Sequence, residues 1–485
     1  MTIMSEESVI HHSLDESSVC KFHTYSPDCF SHFKTYDGVE TIGDYIIPDL
    51  FNHLEKLSVN HNIQIDEISI IGYSLGGLIG RYIIGELYDI GFFDKIKPVF
   101  FTTFATPHLG VTFYKNRILN VLGTYLLGQT GKDLFMSENS NSIIYKLSDP
   151  SEKYYKSLNQ FKKKICIANA KFDRTVGFYS AFITKYDIFN DWDTVDAKFI
   201  DELTTATLKE NGKLFKCQIF DFNKSRRLDT PDKQSEALPS RKFALSIVMS
   251  IGFLLFPIIF SISLFATVKS FFRGKILPKP EIAKQWRLTK NKVYNDDNND
   301  QSSIGSNENG KLIDTQIDDD GYNESENMKS NHIGISHITR EVVENGLNVI
   351  SDKDNLSNLE EEEEENPKTT IDSNEIDKSY FIDLDFELEY SSKASCVKKL
   401  LENLDCSDLS EAPLSKNVEP LPFDDVRQTI LENLNTIKWT KIGVLLHNLN
   451  AHQSVVGRRG FERTPDSIPL LFLYSFLIED GINHP

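Results

Sequence analysis

The chain has 485 residues, of which 40% are apolar and 11% aromatic, so it can bury one large core and still carry extra segments. Its formal charge of −19 argues against a nucleic-acid partner, because neutralising phosphates requires clustered Lys and Arg. The six cysteines show no CxxC spacing and no secretory apolar run follows Met1, which predicts reduced thiols in a cytosol-facing protein.

The first readable elements follow an irregular, polar stretch of residues 1–34. From Gly43 to Leu57 apolar residues recur at three- and four-residue steps, which predicts an amphipathic helix. A compact β-rich run then ends at Gly72, and helical spacing resumes from Leu78. This change of period predicts a strand, a sharp turn and a helix.

Two further apolar runs, Val99 to Phe104 and Ile165 to Ala168, predict more strands of a mainly parallel sheet with helices between them. The stretch from Gly110 to Lys146 is apolar without a strong period, so it is open to two interpretations. One is a lid or an acyl-chain wall over a site, and the other is an ordinary helical excursion, which general loop statistics favour. Residues 35–223 are therefore predicted to form the first part of an α/β domain.

The run from Phe243 to Val268 contains no charged side chain and is long enough for a helix to cross roughly 30 Å of hydrocarbon. Pro257 lies near its middle, and Lys and Arg lie on both of its flanks. Positive charge on both sides favours two ends on the same cytosolic face, so we expect a bent membrane hairpin. The alternative is a single-pass anchor.

Residues 291–378 are rich in Asn, Asp, Ser and Glu, a composition that buries too little apolar area to fold, so we predict a disordered acidic insertion. Its run from Glu360 to Glu365 is interpreted as a solvated segment and not as a metal site. Residues 421–485 are predicted to complete the domain with a short helix, a strand from Ile442 to Leu446 and an apolar helix from Ile468 to Ile478.

The sequence Gly72-Tyr73-Ser74-Leu75-Gly76 satisfies the G-x-S-x-G pattern between the predicted strand and helix. In an α/β-hydrolase nucleophile elbow, a strained turn projects the Ser74 hydroxyl above the sheet, and the flanking Gly72 and Gly76 let neighbouring chain pass close by. The Leu75 N–H would be one donor of an oxyanion hole. By chance the pattern would occur in roughly one chain in ten of this length, and the strand and helix around it make chance much rarer.

A serine hydroxyl becomes a good nucleophile only when a base takes its proton and an acid orients that base. In this fold the chain order is Ser, then acid, then His. Asp173 follows the third strand run by a short loop, although an Asp that caps a turn would be the better interpretation in isolation. For the base, His452 in the loop beyond the closing strand is favoured over His447 at the end of that strand and His484 at the terminus. His108 precedes the acid, so we expect a structural role there.

These motifs together resemble the successive motifs of a fungal family of putative serine esterases. The blocks that carry the resemblance are Thr35–Val39, Gly72–Leu78, Ala105–Val111, Asp173–Tyr179 and Asn450–His452. The similarity extends to the lipid-droplet phospholipase branch, in which a central apolar segment and a block like Pro420–Asp424 recur. The resemblance implies an α/β-hydrolase fold, phospholipid or acylglycerol esters as substrates, no metal and no organic cofactor, and a triad of Ser74, Asp173 and His452.

One motif of that family is not found in this chain. It is an apolar first strand ending in His-Gly, whose loop supplies a second oxyanion-hole donor. Loss of one such donor costs on the order of 100- to 1,000-fold in turnover. Either another segment substitutes, or the first strands are missing and the chain is an N-terminally truncated form that works badly.

The leading hypothesis is therefore a lipid-ester hydrolase at a membrane or lipid-droplet surface. One alternative is a catalytically impaired, membrane-tethered scaffold or binding protein, and another is a peptidase or acyltransferase that uses the same residues. Ser74 and Asp173 precede the apolar run and His452 follows it, so a single crossing would separate nucleophile and base across a bilayer. If the triad forms, the run must return to its starting face.

Overall fold

A computed structural model of the chain describes residues 23–27, 29, 32–114, 117–209, 212–229, 261, 264–270, 272–273, 279–294, 386–404, 409–448, 450–461 and 463–483. Most of the irregular N-terminal stretch lies outside these ranges, as do residues 243–260 of the apolar run and residues 295–378 of the acidic insertion. The predicted membrane hairpin and disordered insertion therefore stay predictions.

The described residues form helices and strands that alternate through the first half of the chain. The helices are α1 Val39–His61, α2 Leu75–Asp89, α3 Arg117–Leu126, α4 Gly128–Leu134, α5 Ile143–Ser148, α6 Lys153–Gln160, α7 Phe178–Ala181, α8 Ile282–Tyr294, α9 Lys393–Asn403, α10 Asp425–Asn435, α11 Ala451–Ser454 and α12 Ser467–Asn483. The strands are β1 Glu67–Tyr73, β2 Lys97–Phe104, β3 Lys163–Asn169, β4 Val195–Asp196, β5 Thr205–Leu208, β6 Leu214–Lys216, β7 Arg226–Arg227, β8 Phe386–Glu389 and β9 Thr440–Val444. Residues 264–270 are also helical.

Within the described residues, the main sheet has four parallel strands in the order β1-β2-β3-β9. Tyr73 at the end of β1 pairs with Phe104, and Phe104 pairs with Ile167 of β3, which in turn pairs with Ile442 of β9. The carboxyl ends of β1, β3 and β9 therefore meet at one edge, which is where open α/β sheets place their sites. The predicted α/β class with a parallel sheet is confirmed.

Helices cover both faces of this sheet, which is why its inner strands are continuous apolar runs. Phe101 of β2 packs in one core with side chains of α1, α2 and α6, whereas Phe100 and Phe104 pack in a second core with α12. Successive side chains of a strand point to opposite faces, so the Phe100-Phe101 pair serves both cores.

Several element boundaries differ from the sequence prediction. The helix expected from Gly43 to Leu57 runs from Val39 to His61, and the closing strand ends at Val444 instead of Leu446. Short helices α3, α4 and α5 occupy most of Gly110 to Lys146, which agrees with the helical excursion. Periodicity locates an element well, but its ends depend on capping and on contacts with distant residues.

The predicted insertion is bordered by more structure than its polar composition indicates. Helix α8 extends to Tyr294, whose hydroxyl donates to the Ile65 carbonyl, and its Trp286 is buried against Phe51 of α1. On the other side, β8 joins a small antiparallel sheet with β5 and β6 well before residue 421. Short elements with few apolar residues gain their stability from tertiary packing, which polar composition conceals.

Among the residues that the structure describes, no helix combines the length and apolarity needed to cross a membrane. Among the described residues, no disulfide involves the buried cysteines Cys166, Cys217 and Cys396.

The turn between β1 and α2 depends on two glycines in close contact. A Cβ atom on Gly72 would lie 2.4 Å from the Gly77 Cα, and a Cβ on Gly77 would lie 2.2 Å from the Thr106 Oγ1. Between them, Ser74 has φ of 53° and ψ of −125°, a strained backbone conformation held by the hydrogen bond from its N–H to the Phe104 carbonyl. By contrast, a Cβ on Gly76 would meet no atom within 4 Å.

His108 belongs to a fully buried polar cluster behind the carboxyl edge of the sheet. Its Nδ1 lies 3.5 Å from Arg81 Nη1, and its Nε2 lies 3.0 Å from Thr103 Oγ1. Since Arg81 can only donate, His108 Nδ1 accepts and Nε2–H donates to Thr103. Burial, with Arg81 and Lys441 nearby, holds the pKa of His108 well below its ordinary value of 6.5, and burial lowers the pKa of Arg81 to about 9. His108 is therefore a neutral, structural histidine.

Replacing either of two adjacent glycines tests the close packing of the turn. Gly77→Ala should destabilise the fold by about 1–3 kcal/mol, because its methyl group would collide with the buried Thr106. Gly76→Ala should be neutral or stabilise by up to about 1 kcal/mol, because it adds a better helix former in open space. Urea unfolding followed by circular dichroism measures both, and equal midpoints for the two variants would contradict this account of the turn.

Stability at acid pH should depend on His108. Its pKa is lowered in the folded state, so below pH 6.5 the unfolded chain binds a proton at His108 and the folded chain does not. Protonation therefore favours the unfolded state as the pH falls. Between pH 7.5 and 5.5 this one group should cost the wild type about 1.4 kcal/mol of unfolding free energy. The His108→Gln variant should lack that part of the acid loss, as measured by urea unfolding at both pH values. An identical pH dependence in the two proteins would rule out the buried neutral state.

Candidate active site

Three side chains predicted from the sequence lie in one hydrogen-bonded row at the carboxyl edge of the sheet. Ser74 Oγ is 2.9 Å from His452 Nε2, and His452 Nδ1 is 2.9 Å from Asp173 Oδ2. A carboxylate can only accept, so His452 Nδ1–H donates to Asp173 and leaves Nε2 free to accept the Ser74 proton. The row has the arrangement of an activated nucleophile, a base and an orienting acid.

Asp173 lies on the loop after β3, and both of its carboxylate oxygens accept hydrogen bonds. Oδ2 accepts from His452 and from Asn169 Nδ2 at 3.0 Å. Oδ1 accepts from the backbone N–H groups of Thr175 and Val176 at 3.0 and 2.8 Å. These donors compensate for burial of the carboxylate, whose side chain is 3% exposed, and fix its orientation toward the imidazole.

Asn169 is a positioning residue that the sequence analysis missed. Its side-chain Nδ2 donates both to Asp173 and to the backbone carbonyl of Ala451 at 3.1 Å, the residue before His452. One amide therefore connects the loop of the acid to the loop of the base. Its place as the last residue of β3 is the signal that was available, since side chains at strand ends border the site edge.

His452 is the second residue of the short helix α11 and is buried, so the loop predicted around it is one helical turn. The ring of Tyr73 packs beside the imidazole, with ring centroids 5.0 Å apart. Tyr73 directly precedes Ser74, so the residue before the candidate nucleophile also packs against the candidate base. This packing restricts rotation of the imidazole about its side chain.

Ser74 lies between β1 and α2, and Leu75 is the first residue of α2. The N–H groups of a first helical turn have no partner within the helix, and the helix dipole is positive there. The Leu75 N–H is thus placed where an anionic oxygen bound next to Ser74 would need a donor. Gly72 and Gly77 make the close contacts of this turn, whereas Gly76, which was predicted to do so, faces open space.

The other candidate histidines do not join this row. His447 Nε2 lies 2.7 Å from Gln218 Oε1, and its backbone N–H donates to Asp466. His108 belongs to the buried cluster with Arg81, and His484 lies outside the described residues. In the described part of the chain, no group of His, Cys, Asp and Glu is arranged to hold a metal ion.

The sheet edge beside Ser74 is where the first strand of the family, with its His-Gly motif, would be expected. In the described residues β1 is an edge strand, with β2 as its one partner in the sheet. The strand of the family that carries the second oxyanion-hole donor has no counterpart among the described strands of this sheet.

Comparison with known proteins agrees with the motifs. Residues 5–186 match the family model described as putative serine esterase (DUF676). Putative lipase C4A8.10 of Schizosaccharomyces pombe is 33% identical over 158 residues, which cover 30% of this chain and 20% of the relative. Putative lipase ROG1 of Saccharomyces cerevisiae is 32% identical over 190 residues, which cover 37% of this chain and 24% of the relative.

Putative lipase YDL109C of Saccharomyces cerevisiae is 30% identical over 165 residues, which cover 32% of this chain and 24% of the relative. The matched part thus spans 20% to 24% of the length of these curated relatives. No solved structure matches the chain. The family predicted from the motifs is the one whose model matches residues 5–186, the part of the chain that contains Ser74 and Asp173. The lipid-droplet phospholipase branch stays a prediction.

Proposed function

We propose that this protein hydrolyses carboxylic esters of lipids, with Ser74 as nucleophile, His452 as general base and acid, and Asp173 as the carboxylate that orients the imidazole. The observation that carries the proposal is the row of two 2.9 Å hydrogen bonds from Ser74 through His452 to Asp173. The match of residues 5–186 to a serine esterase family and similarity to proteins called putative lipases support the reaction class.

The reaction follows from the hydrogen-bond directions. As the Ser74 oxygen attacks the acyl carbonyl, its proton passes to His452 Nε2, and Asp173 stabilises the imidazolium that forms. The carbonyl oxygen becomes an oxyanion, for which the Leu75 N–H is the nearest helix-terminal donor in sequence. When the tetrahedral intermediate collapses, His452 returns the proton to the departing alcohol. Water then attacks the acyl-serine by the same proton transfers and releases a fatty acid.

The lipid substrate and the location on a lipid surface belong to the same proposal. Ser74 and Asp173 precede the uncharged run from Phe243 to Val268 and His452 follows it, yet the three side chains meet. A single membrane crossing between them is incompatible with that contact, which supports a run that returns to the same cytosol-facing side. A phospholipid membrane or the monolayer of a lipid droplet would suit such a run.

Covalent labelling tests the nucleophile and the base. A fluorophosphonate probe should label the wild type, and Ser74→Ala should abolish the labelling because the attacking oxygen is gone. His452→Ala should slow labelling by a factor on the order of 10² to 10⁴, the usual contribution of a general base. His447→Ala is the matched control and should label at the wild-type rate. Labelling that survives Ser74→Ala, or that depends on His447 instead of His452, would refute the proposed triad.

Replacing the acid by its amide tests the orienting role. In Asp173→Asn the new side-chain NH₂ group favours the wrong imidazole tautomer, so ester turnover should fall by a factor on the order of 10⁴ with little change in KM. Turnover of phosphatidylcholine or triacylglycerol emulsions measures it, and circular dichroism verifies the fold. A folded variant with turnover near that of the wild type would exclude Asp173 as the acid.

A further inference from the structure

Helix α3 exposes its apolar side chains to solvent, whereas an ordinary surface helix buries them. Its exposed described side chains are apolar, with Ile118, Val121 and Tyr125 exposed by 71%, 57% and 66%. The spacing of three and four residues places them on one side of the helix. Leu127, directly after α3, is also exposed.

The inner side of α3 carries small and polar residues whose contacts fix its rotation. Asn120 Oδ1 accepts from the Phe113 N–H at 2.8 Å, and Asn120 Nδ2 donates to the Phe113 carbonyl at 3.2 Å. A Cβ on Gly123 would lie 2.2 Å from the Phe135 ring, so the glycine lets that ring pack closely. The apolar residues of α3 point outward because the other side is already engaged.

A second apolar segment, made of residues 264–270 with Phe272 and Arg273, also turns its large apolar side chains toward solvent. Ala266 and Ser270 are buried, whereas Leu264, Phe265, Val268 and Phe272 are exposed. Ser270 Oγ donates to the Tyr36 carbonyl at 2.8 Å, and Arg273 Nη2 lies 2.8 Å from Asp37 Oδ1, whose side chain is fully buried. These polar contacts hold the segment against the hydrolase domain with its large apolar side chains outward.

The two segments lie side by side, although more than a hundred positions separate them in the sequence. Thr267 Oγ1 donates to the Tyr125 carbonyl at 3.3 Å. Their outward residues therefore belong to one region, which we call the apolar face: Ile118, Val121, Tyr125, Leu127, Leu264, Phe265, Val268 and Phe272. Contiguous exposed apolar surface of this kind marks an interaction site.

The charge pattern indicates what the apolar face meets. The chain carries 71 acidic residues, yet no Asp or Glu occurs between Asp94 and Asp133 or between Glu236 and Glu281, the two stretches that supply this face. Lys and Arg do occur in both stretches: Lys95, Lys97, Lys115, Arg117, Lys132, Arg241, Lys242, Lys269, Arg273, Lys275 and Lys279. An exposed apolar surface drawn from two stretches without carboxylates, on an otherwise acidic protein, is complementary to anionic lipid head groups above acyl chains.

We propose that the apolar face docks the hydrolase domain onto an anionic phospholipid surface and inserts Ile118, Val121, Tyr125 and Val268 among the acyl chains. The inference rests on the proposed lipid-ester function and adds the residues that place the enzyme on its substrate. Residues 264–268 are the end of the uncharged run that begins at Phe243, so the face is continuous in sequence with the most lipid-like segment of the chain. Tyr125 has the apolar ring and polar hydroxyl that suit the head-group boundary.

Site-specific fluorescence tests the docking geometry on the full chain. Tyr125→Trp places a reporter on the face, and Val59→Trp places one at an equally exposed apolar position of α1, where Val59 is 67% exposed. The probe is a vesicle of phosphatidylcholine and phosphatidylserine that is brominated on the acyl chains. It should quench a larger fraction of the tryptophan emission in Tyr125→Trp than in the wild type. In Val59→Trp the added tryptophan should not be quenched. The reading is local, so it holds even if the rest of the uncharged run also binds lipid. No quenching at Tyr125, or equal quenching at both positions, would overturn the proposal.

A charge-insertion pair gives a second measurement. Val121→Asp combined with Val268→Asp should weaken flotation with the same vesicles by at least about tenfold, because burying even one valine changes a partition constant by that much. Val59→Asp is the matched control and should float like the wild type, and so should Ser74→Ala, because docking needs no turnover. Weakened flotation of the double variant beside normal flotation of Ser74→Ala would therefore support docking even if the esterase proposal failed. Unchanged flotation of the double variant, or self-association that the double variant abolishes without any lipid binding, would refute docking by this face.

Discussion

The pairing of β9 with β3 is the constraint on which the site depends. The two strands lie more than 260 positions apart in sequence, yet five residue pairs from Ile165↔Thr440 to Asn169↔Val444 hold them in parallel register. The Ala170 N–H continues the ladder by donating to the Val444 carbonyl. Closing so long a loop costs only slightly more entropy than closing a short one, because the cost rises with the logarithm of length. A long insertion is therefore compatible with a continuous site.

Around that pairing, strain and polar burial are concentrated at one edge of the sheet. Ser74 keeps its positive φ because Gly72 and Gly77 allow the turn to close and because the Phe104 carbonyl accepts a hydrogen bond from its N–H. The buried carboxylate of Asp173 accepts four hydrogen bonds, which fix its orientation toward His452. Such a site is costly to assemble and is organised before any substrate arrives.

The same geometry would connect the proposed catalysis with the proposed lipid binding. The polar contacts of Asp37 with Arg273, and of Tyr36 with Ser270, join the residues after the uncharged run to the chain immediately before α1. The α/β domain thus holds this segment directly, so the candidate site and the proposed lipid contact belong to one folded unit. Helix α3 completes that surface from within the sequence between nucleophile and acid.

Much of the site could be predicted because its signals are local. The G-x-S-x-G pattern around Ser74 predicts a strained, tightly packed turn. Apolar runs with a changing period indicate the strands and helices of an α/β fold. Chain order left Asp173 and His452 as candidates, although an ordinary turn aspartate looks the same in sequence. The helices α9 and α8 beside the acidic insertion were missed, because their few apolar residues become informative only when a partner surface is known.

Other features depended on residues that are far apart in the chain. The sequence favoured His452 over His447, but only the packed chain shows that His452 contacts Ser74 while His447 contacts Gln218. Asn169 acquires a role only because Asp173 and Ala451 lie on either side of its amide. The sequence also did not predict that the apolar residues of α3 are exposed. Periodicity shows that apolar residues share one side of a helix, but not whether that side packs against the core or contacts solvent. Local pattern specifies elements and strained turns, whereas orientation and contact are properties of the packed chain.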